Sequence, residues 1–505
     1  MQIEPPATAF AKHYARGKAQ VVWTTLVADL ETPVSAFLKI AGGRPRSFLL
    51  ESVEGGAVRG RYSVIGLEPD LVWRSVGGRA EVNRKARAAA GRFLPCTEPP
   101  LLALRALIEE SRIELPDALP PMAAGIFGYL GYDMVRLMEE LTAPNPDPIG
   151  IPDAVLVRPT VVVVFDGVKD TITAVTPVRP EKGVSAKTAL ARANERLSAI
   201  VDALDKPLAH AAADGKAGSL TVLPVSNTRP AEYERMVRAA KEYIAAGDVF
   251  QVVLSQRFEA PFELPAFSLY RALRRVNPSP YLYFLDFGDF SIAGSSPEIL
   301  VKLSGGKVTI RPIAGTRPRG ATPHEDKALE IELLADPKER AEHLMLLDLG
   351  RNDAGRVAEV GTVKVTDRFF IERYSQVMHI VSNVEAALAQ GRDAIDALAA
   401  GFPAGTVSGA PKVRAMEIID ELEKEKRGLY AGAVGYFSAA GEMDTAIVLR
   451  TALVKNGKMY VQAGAGIVAD SNPKSEQQEC INKAKALFRA AEEAKRFASA
   501  AKRGQ

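Results

Sequence analysis

The chain has 505 residues, of which 47% are hydrophobic and 25% charged, a composition typical of a soluble globular protein with two or three domains. Lys and Arg number 64 and Asp and Glu 61, so the net charge is only +3, and no nucleic acid or membrane is expected as the main partner. Two cysteines, Cys96 and Cys480, are too few for a disulfide framework and favour a reducing compartment. With no secretory signal evident, we predict a cytoplasmic protein.

The first elements along the chain are predicted to be strands. Short apolar runs at Ser47–Leu50, Ala154–Val157 and Thr160–Phe165 are separated by Gly, Pro and Asp, as in a sheet. Between them, Leu101–Ile113 has apolar residues at helical spacing. Residues 203–218 are rich in Ala, Asp and Gly and show neither pattern, which predicts a connector between two halves of the chain.

The second half begins with a predicted helix that Thr228 caps, Pro230 opens and Gly247 ends. Strand-like segments follow at Val249–Phe258, Tyr281–Asp286, Ser291–Ala293, Ile299–Leu303 and Val308–Ile310. Two later helices are predicted: one starts at Asp336 with a capping box, and the other spans Pro473–Phe497. The mixture of strands and helices predicts an α+β fold.

Each of these two later helices carries a pair of glutamates three residues apart. The pairs are Glu339 with Glu342 and Glu476 with Glu479, and this spacing places both carboxylates of a pair on one helical face. Two such faces together would form an oxygen-only site, which suits Mg²⁺. On spacing alone, solvated glutamates that help the helix ends are the commoner interpretation, and the capping box already accounts for Glu339.

Two glycine-containing segments and one arginine are candidates for binding an anion. Gly464 and Gly466 follow a predicted strand, and small residues there would let backbone N–H groups approach a ligand, although a tight turn explains them equally well. Gly315 and Thr316 form a second such segment. Arg450 ends an apolar strand, where it would pair either with a ligand or with a structural acid.

Among five histidines, His379 follows a strand-like apolar stretch, where a structural role is commoner than a catalytic one. Nucleophile elbows, P-loops and metal-spaced His/Cys clusters are absent from the sequence. Neither cysteine lies in a glycine-rich elbow, so we expect no thiol-dependent glutaminase on this chain.

In combination and in this order, the motifs resemble those of the chorismate-using enzymes. That family contains component I of anthranilate synthase and of aminodeoxychorismate synthase, and the isochorismate and salicylate synthases. The motifs are DVFQVVLSQRF, NPSPYLYF, SSPEIL, PIAGTRPRG, ERAEHLMLLDLGRND, VMHIVS, PAGTVSGAPK, YAGAVGYF, DTAIVLR, QAGAGIV and SEQQECINKA. The resemblance is dense over about 225–490 and sparser in FLLES and GRYSVIG of the N-terminal half.

The resemblance implies an α+β fold with two packed β-sheets surrounded by helices, and a smaller regulatory portion at the N-terminus. On this basis we predict a tryptophan-binding regulatory portion at 1–202, a connector at 203–224 and a chorismate-binding catalytic domain at 225–497.

Three positions favour the component I branch of anthranilate synthases. Gln251 stands where the water-adding relatives have a lysine base, and a glutamine cannot deprotonate water. Ala314 stands where aminodeoxychorismate synthases have a nucleophilic lysine. LLES together with NPSPYLYF resembles the tryptophan-feedback site. The implied reaction converts chorismate and ammonia to anthranilate and pyruvate, the first committed step of tryptophan biosynthesis.

By resemblance, Glu342 and Glu479 bind Mg²⁺, and Glu339 and Glu476 hold its water ligands. The implied catalytic residues are Glu298, which protonates the departing hydroxyl, His379, which serves the second step, and Gln251. The implied chorismate contacts are Gly315, Thr316, Tyr430, Arg450, Gly464, Ala465 and Gly466.

The resemblance also implies partners. A glutamine amidotransferase subunit, anthranilate synthase component II, would supply ammonia in a heterotetramer. Tryptophan would inhibit through Ser52, Pro280, Tyr281 and Leu282. The alternatives are an aminodeoxyisochorismate synthase, an aminodeoxychorismate synthase and a non-catalytic tryptophan-binding regulatory protein.

Overall fold

The computed structural model describes residues 1–54, 58–208, 224–374 and 377–498. The helices are α1 (Ala7–Ala15), α2 (Pro33–Ala41), α3 (Pro100–Glu110), α4 (Ala186–Asp205), α5 (Pro230–Ala246), α6 (Ala266–Val276), α7 (Pro323–Ala335), α8 (Pro337–Gly355), α9 (Ala394–Gly401), α10 (Lys412–Leu422) and α11 (Pro473–Glu493).

The strands of the first half are β1 (Gln20–Val27), β2 (Ser47–Glu54), β3 (Val58–Leu67), β4 (Leu71–Val76), β5 (Arg79–Asn83), β6 (Leu94–Pro95), β7 (Gly125–Leu130), β8 (Ala154–Arg158), β9 (Val161–Asp166) and β10 (Thr171–Val178). Those of the second half are β11 (Val225–Ser226), β12 (Gln251–Pro261), β13 (Tyr281–Asp286), β14 (Ser291–Ser296), β15 (Ile299–Ser304), β16 (Lys307–Ile310), β17 (Ile313–Pro318), β18 (Lys364–Arg373), β19 (Val377–Ala387), β20 (Gly409–Ala410), β21 (Ala433–Ser438), β22 (Met443–Ile447), β23 (Thr451–Lys455) and β24 (Lys458–Ile467).

Over the described ranges, these strands form two antiparallel sheets of twelve strands each. The first sheet has the order β1-β10-β9-β3-β2-β13-β14-β23-β24-β12-β11, with β20 also beside β12. The second has the order β17-β19-β16-β15-β22-β21-β7-β8-β4-β5-β6, with β18 also beside β19. The predicted α+β fold with two sheets is confirmed.

The two sheets pack face to face, and helices cover both outer faces. In β9, Val162 and Val164 belong to the core between the sheets, while Val161 and Val163 belong to the core under the helices of the first sheet. This alternation follows from the period of two along a strand. A third core joins the outer face of the second sheet to α3, α8 and α9. A strand buried on both faces is uniformly apolar, which explains the continuous Val161–Phe165 run.

Strands from before and after the predicted connector pair in both sheets. In the first sheet β2 pairs with β13, and in the second β7 pairs with β21. Residues 203–205 are the end of α4, and 209–223 lie outside the described residues, so the connector at 203–224 stays a prediction. The division into regulatory and catalytic portions stays a prediction, but the two portions are joined by ladder hydrogen bonds.

Two predicted details at element ends are wrong. Helix α5 is capped one residue later than expected: its N-cap is Arg229, and the Thr228 hydroxyl donates to Asn227 Oδ1 at 3.1 Å. Gly247 does end this helix, with φ of 85°. Arg450 does not end a strand, because β22 stops at Ile447; it lies between β22 and β23 with φ of 46°.

No described helix is long and apolar enough to cross a bilayer.

Candidate active site

Glu298 lies in the short link between β14 and β15. Each of these two strands has a paired strand on both sides within its sheet. Its backbone carbonyl accepts a hydrogen bond from Ile447 N–H at 3.0 Å, which fixes the residue against β22. The side chain is 6% exposed, and its Oε1 accepts from the Thr406 hydroxyl at 3.2 Å. Burial raises the pKa of Glu298 to about 8, although Thr406 and Arg450 favour the charged form. At neutral pH, Glu298 is therefore a protonated acid.

His379 on β19 lies opposite Thr316 on β17. Its Nδ1 is 3.0 Å from Thr316 Oγ1 and 3.1 Å from the Gly315 carbonyl oxygen. Burial, reinforced by the charge of Arg450, lowers the pKa of His379 to about 4, so the ring is neutral at pH 7. Because a carbonyl can only accept, we assign the proton to Nδ1 and the free lone pair to Nε2.

The two glutamate pairs lie close enough together to interact electrostatically, which the helix spacing alone did not predict. Burial raises the pKa of Glu342, and the neighbouring charges of Glu339 and Glu479 raise it further. Burial also raises the pKa of Glu476, again with a contribution from Glu479. Carboxylates can raise each other's pKa only when they lie close together. The ends of α8 and α11 therefore form one acidic site.

The predicted capping box at the start of α8 is wrong in its second half. Asp336 does cap the helix, since its Oδ1 accepts from the backbone N–H groups of Lys338 and Glu339. The Asp336 N–H, however, donates to the Glu332 carbonyl at 3.0 Å rather than to the Glu339 side chain. The Glu339 carboxylate instead contacts Arg317, with Oε1 3.4 Å from Nη1. It also lies close enough to Glu342 to raise the pKa of that residue.

The donor groups of the acidic site decide whether it can hold a divalent cation. Along the described ranges, no group of three or more His, Cys, Asp or Glu side chains is spaced to hold a metal. The carboxylates of Glu342 and Glu479 nevertheless repel each other, and the charges of Lys338 and Lys483 only partly offset this repulsion at Glu342. Lys483 pairs with Glu479 at 2.7 Å and is 47% exposed. Mg²⁺ keeps several waters and is commonly held by one or two carboxylates together with an oxygen of the substrate. The residues present fit an ion bound in that way.

Gly464, Ala465 and Gly466 lie inside β24, so the alternative of a simple tight turn is wrong. Binding of an anion by the backbone of this segment stays a prediction. The strand pairs with β12, with Gly464 opposite Ser255. A Cβ on Gly464 would lie 2.7 Å from Tyr430 Oη, and one on Gly466 would lie 2.3 Å from Gln251 Nε2. The glycines are therefore required because the side chains of Tyr430 and Gln251 lie directly over the strand.

Gln251 is the first residue of β12 and is only 3% exposed. Its Oε1 is buried and has no hydrogen-bond partner in the part of the chain that the structure describes. A buried unpaired acceptor in an active site is a place where a ligand can donate a hydrogen bond.

Gly315 lies at an irregularity in the pairing of β17 with β19, between Ala314 and Thr316, and has φ of 77°. A Cβ there would approach Ile380 at 3.1 Å and Glu339 Oε2 at 3.2 Å. The irregularity thus places the β17 backbone between His379 and the acidic site.

Arg450 links these parts electrostatically. Its charge lowers the pKa of both Glu298 and His379, while burial lowers its own pKa. Lys483 likewise lowers the pKa of both His379 and Glu342, and its Nζ donates to the Gly464 carbonyl at 2.9 Å. The general-acid candidate, the histidine and the acidic site therefore belong to one site.

The predicted tryptophan positions are only partly brought together. Ser52 on β2 pairs directly with Tyr281 on β13, and Pro280 precedes that strand. The Tyr281 side chain faces the core between the sheets, whereas Leu282 packs into the core under the helices. The side chain of Leu282 therefore points away from a ligand that contacts Tyr281.

Two further residues of the candidate site were not singled out in the sequence, although the quoted motifs contain both. Thr406, the hydrogen-bond donor to Glu298, lies in a short 3₁₀ helix, Gly405–Val407, with no periodic pattern to mark it. Lys483 pairs with Glu479 four residues earlier on α11, and this helical spacing of opposite charges was a signal present in the sequence.

Comparison with known proteins shows the family to which the chain belongs. A family model described as chorismate binding enzyme matches residues 72–489. Anthranilate synthase component 1 of Cereibacter sphaeroides is 57% identical over 496 residues, which cover 98% of this chain and 99% of that protein. The chain belongs to the anthranilate synthase component 1 family of chorismate-binding enzymes.

Other members of the family are similarly close. Component 1 of Pseudomonas aeruginosa is 50% identical, with 92% of this chain and 94% of that protein covered. The crystal structure of anthranilate synthase component I from Streptococcus pneumoniae superposes with a TM-score of 0.74 at 39% identity, covering 92% of this chain and 99% of that one. The menaquinone-specific isochorismate synthase of Escherichia coli, with a TM-score of 0.68 at 20% identity over 96% of this chain and 98% of that one, shares the fold.

Proposed function

We propose that this member of the family converts chorismate and ammonia to anthranilate and pyruvate. The observation that carries the proposal is the combination, in one site, of a protonated Glu298, a neutral His379 and the acidic site of α8 and α11. The reaction needs first an acid and then a base. A carboxyl group with a raised pKa, Glu298, can be the acid, and a histidine with a lowered pKa, His379, can be the base.

In the first half of the reaction, Glu298 donates its proton to the departing ring hydroxyl, which leaves as water while ammonia adds at ring carbon two. Arg450 and the Tyr430 hydroxyl are the donors proposed for the substrate carboxylates. Gln251 cannot remove a proton from water, which favours ammonia over water as the nucleophile.

In the second half, the amino intermediate gives up a ring proton to a base while its bond to the enolpyruvyl ether oxygen breaks. The ring becomes aromatic, and the departing enolpyruvate takes up a proton to become pyruvate. His379 carries its proton on Nδ1, held by the Gly315 carbonyl, so Nε2 is free to accept that ring proton. The same hydrogen bond fixes the ring orientation.

Mg²⁺ is the proposed cofactor, held by Glu342 and Glu479 with Glu339 and Glu476 nearby. When bound, it would offset the charge that four glutamates present to an anionic substrate.

The proposed partner is a glutamine amidotransferase subunit that supplies the ammonia, in a cytoplasmic heterotetramer. The proposed regulator is tryptophan, bound beside Ser52 and Tyr281 between the two sheets. The supporting observation is that these two residues are paired across β2 and β13 and so couple the first half of the chain to the second.

The test is product analysis by mass and fluorescence after incubation of the chain with chorismate, Mg²⁺ and ammonium, with and without tryptophan. Anthranilate formation that tryptophan suppresses is expected. A non-aromatic amino product would instead indicate an aminodeoxyisochorismate or aminodeoxychorismate synthase. If a folded chain gave no product, the catalytic proposal would fail in favour of a regulatory protein.

A further inference from the structure

His379 lies between two strands of the second sheet, and each strand places a polar residue beside it. Its partner on β17 is Thr316, and its partner on β18 is Glu372. Residues directly opposite each other on paired antiparallel strands project to the same face of the sheet, with Cβ atoms about 5 Å apart. The Glu372 carboxylate and the His379 ring therefore share one face of the sheet.

Tyr374, just after β18, connects these two side chains. Its hydroxyl donates to Glu372 Oε2 at 2.8 Å. Its buried ring meets the His379 ring edge to face, with the centroids 5.4 Å apart and the planes at 60°. Edge-to-face packing of this kind favours one relative orientation of two rings. The tyrosine is thus fixed to the carboxylate at one end and limits the orientation of the histidine at the other.

The Glu372 carboxylate is itself held in place by two donors. Arg311, between β16 and β17, donates to Oε1, and the Tyr374 hydroxyl donates to Oε2. Hydrogen bonds to a carboxylate are strong and fix its position, while it keeps its negative charge. Glu372 therefore provides a negative charge at a fixed place beside His379.

His379 needs such a charge because it becomes a cation during the reaction proposed above. Burial lowers the pKa of His379 most, and the positive charges of Arg450 and Lys483 lower it further. The Gly315 carbonyl and the Glu372 carboxylate raise it. An enclosed imidazolium near two cations would be strongly unfavourable without a negative charge beside it. Glu372 is placed to supply that charge from β18.

We propose that Glu372 and Tyr374 are positioning residues for the second half of the reaction: Glu372 balances the charge of the His379 imidazolium, and Tyr374 holds its ring. The inference rests on the proposed function. In the step itself, the ring proton passes to Nε2, the C–H electron pair enters the ring, and the ether C–O pair leaves with the enolpyruvate oxygen. Glu372 and Tyr374 exchange no proton with the substrate and act through the histidine.

The test measures the two halves of the reaction separately, by rapid quenching and mass spectrometry with enzyme in excess over chorismate and ammonium saturating. Glu372→Gln keeps the size of the side chain and removes its charge. We expect the rate constant for aromatisation to fall about threefold to tenfold, since the base is weaker, while the rate constant for ammonia addition stays unchanged. Glu372→Asp, which retains the charge, should recover most of the lost rate. Deuterium on the ring carbon that takes up ammonia should slow only the aromatisation phase, which identifies it.

Glu385→Gln is the matched control for the loss of charge. Glu385 pairs with Lys307 and has a side chain 27% exposed, much as Glu372 pairs with Arg311 and has a side chain 28% exposed. It lies on β19, opposite the first residue of β18 and away from His379. Both rate constants should stay unchanged in this variant.

A second pair of variants tests the tyrosine. Tyr374→Phe keeps the ring against His379 and removes only the hydroxyl, so it should slow aromatisation less than Tyr374→Leu, which removes the ring. Equal rates in these two variants would overturn the role of the ring. An unchanged aromatisation rate in Glu372→Gln, or an equal loss in both halves, would overturn the role of Glu372. If the unaltered enzyme formed no anthranilate from chorismate and ammonium, the proposed function itself would be overturned.

Discussion

The pKa of Glu298 gives a quantitative prediction for the pH dependence of turnover. With a pKa of about 8, Glu298 is protonated in about 90% of the protein molecules at pH 7, against about 0.3% at the ordinary pKa of 4.5. Burial therefore increases the population of the acid about 300-fold. Because the pKa is raised, the acid is present below pH 8 and is lost above it, so kcat should fall about tenfold between pH 7 and pH 9.

The assay is kcat for anthranilate formation, with ammonium varied to saturation at every pH so that titration of ammonia itself does not enter. Glu298→Gln should lower kcat by about 10² to 10⁴ and remove the fall above pH 8. Thr406→Val is the matched control. The Thr406 hydroxyl favours the charged form of Glu298, so its loss should move the fall in kcat to higher pH. If kcat of the unaltered enzyme were constant from pH 7 to pH 9, or if T406V moved the fall to lower pH, Glu298 would not be the acid.

Four further predictions concern the other parts of the site. Glu479→Gln should abolish Mg²⁺-dependent turnover without lowering the melting temperature, because it removes a ligand charge from a half-exposed helix face; activity retained at saturating Mg²⁺ would contradict the metal assignment. His379→Gln should slow aromatisation more than ammonia addition, so that mass spectrometry detects the amino intermediate, and anthranilate alone at the normal rate would argue against the base. Gly464→Ala should destabilise the fold by about 1–3 kcal/mol in urea unfolding, since its Cβ would meet Tyr430 and the Leu254 carbonyl, both at 2.7 Å; an unchanged midpoint would refute the crowding. Ser52→Ala should raise the tryptophan concentration needed for inhibition and leave uninhibited kcat unchanged, which an inhibition titration checks.

Much of the fold followed from local patterns. The uniformly apolar run at Thr160–Phe165 predicted a strand because both faces of β9 are buried. The helix that begins after Asp336 was predicted from cap and proline signals, since these act within a single turn. The helix that begins at Pro473 was predicted from the helical spacing of its apolar residues. The pairs Glu339 with Glu342 and Glu476 with Glu479 were found because helical spacing alone fixes which side chains share a face.

Other features depended on contacts between residues far apart in the chain. The Glu339 side chain lies near Gly315 and Arg317 and not on its own helix cap, because β17 lies beside α8 in the folded protein. Gly464 and Gly466 looked like turn residues, yet they are strand residues kept small by Tyr430 and Gln251. No local signal contains this information.

The sequence by itself determined the fold class, the acidic helix pairs and the family, because each of these is encoded in residue types at short spacing. Only the tertiary structure decided the protonation states of Glu298 and His379. Enclosure by both sheets makes Glu298 an acid at neutral pH and His379 a neutral base, since desolvation depends on everything packed around a group. The same enclosure created a cavity beside Tyr430, whose walls come from segments about 310 residues apart along the chain, at Ile149 and in β24.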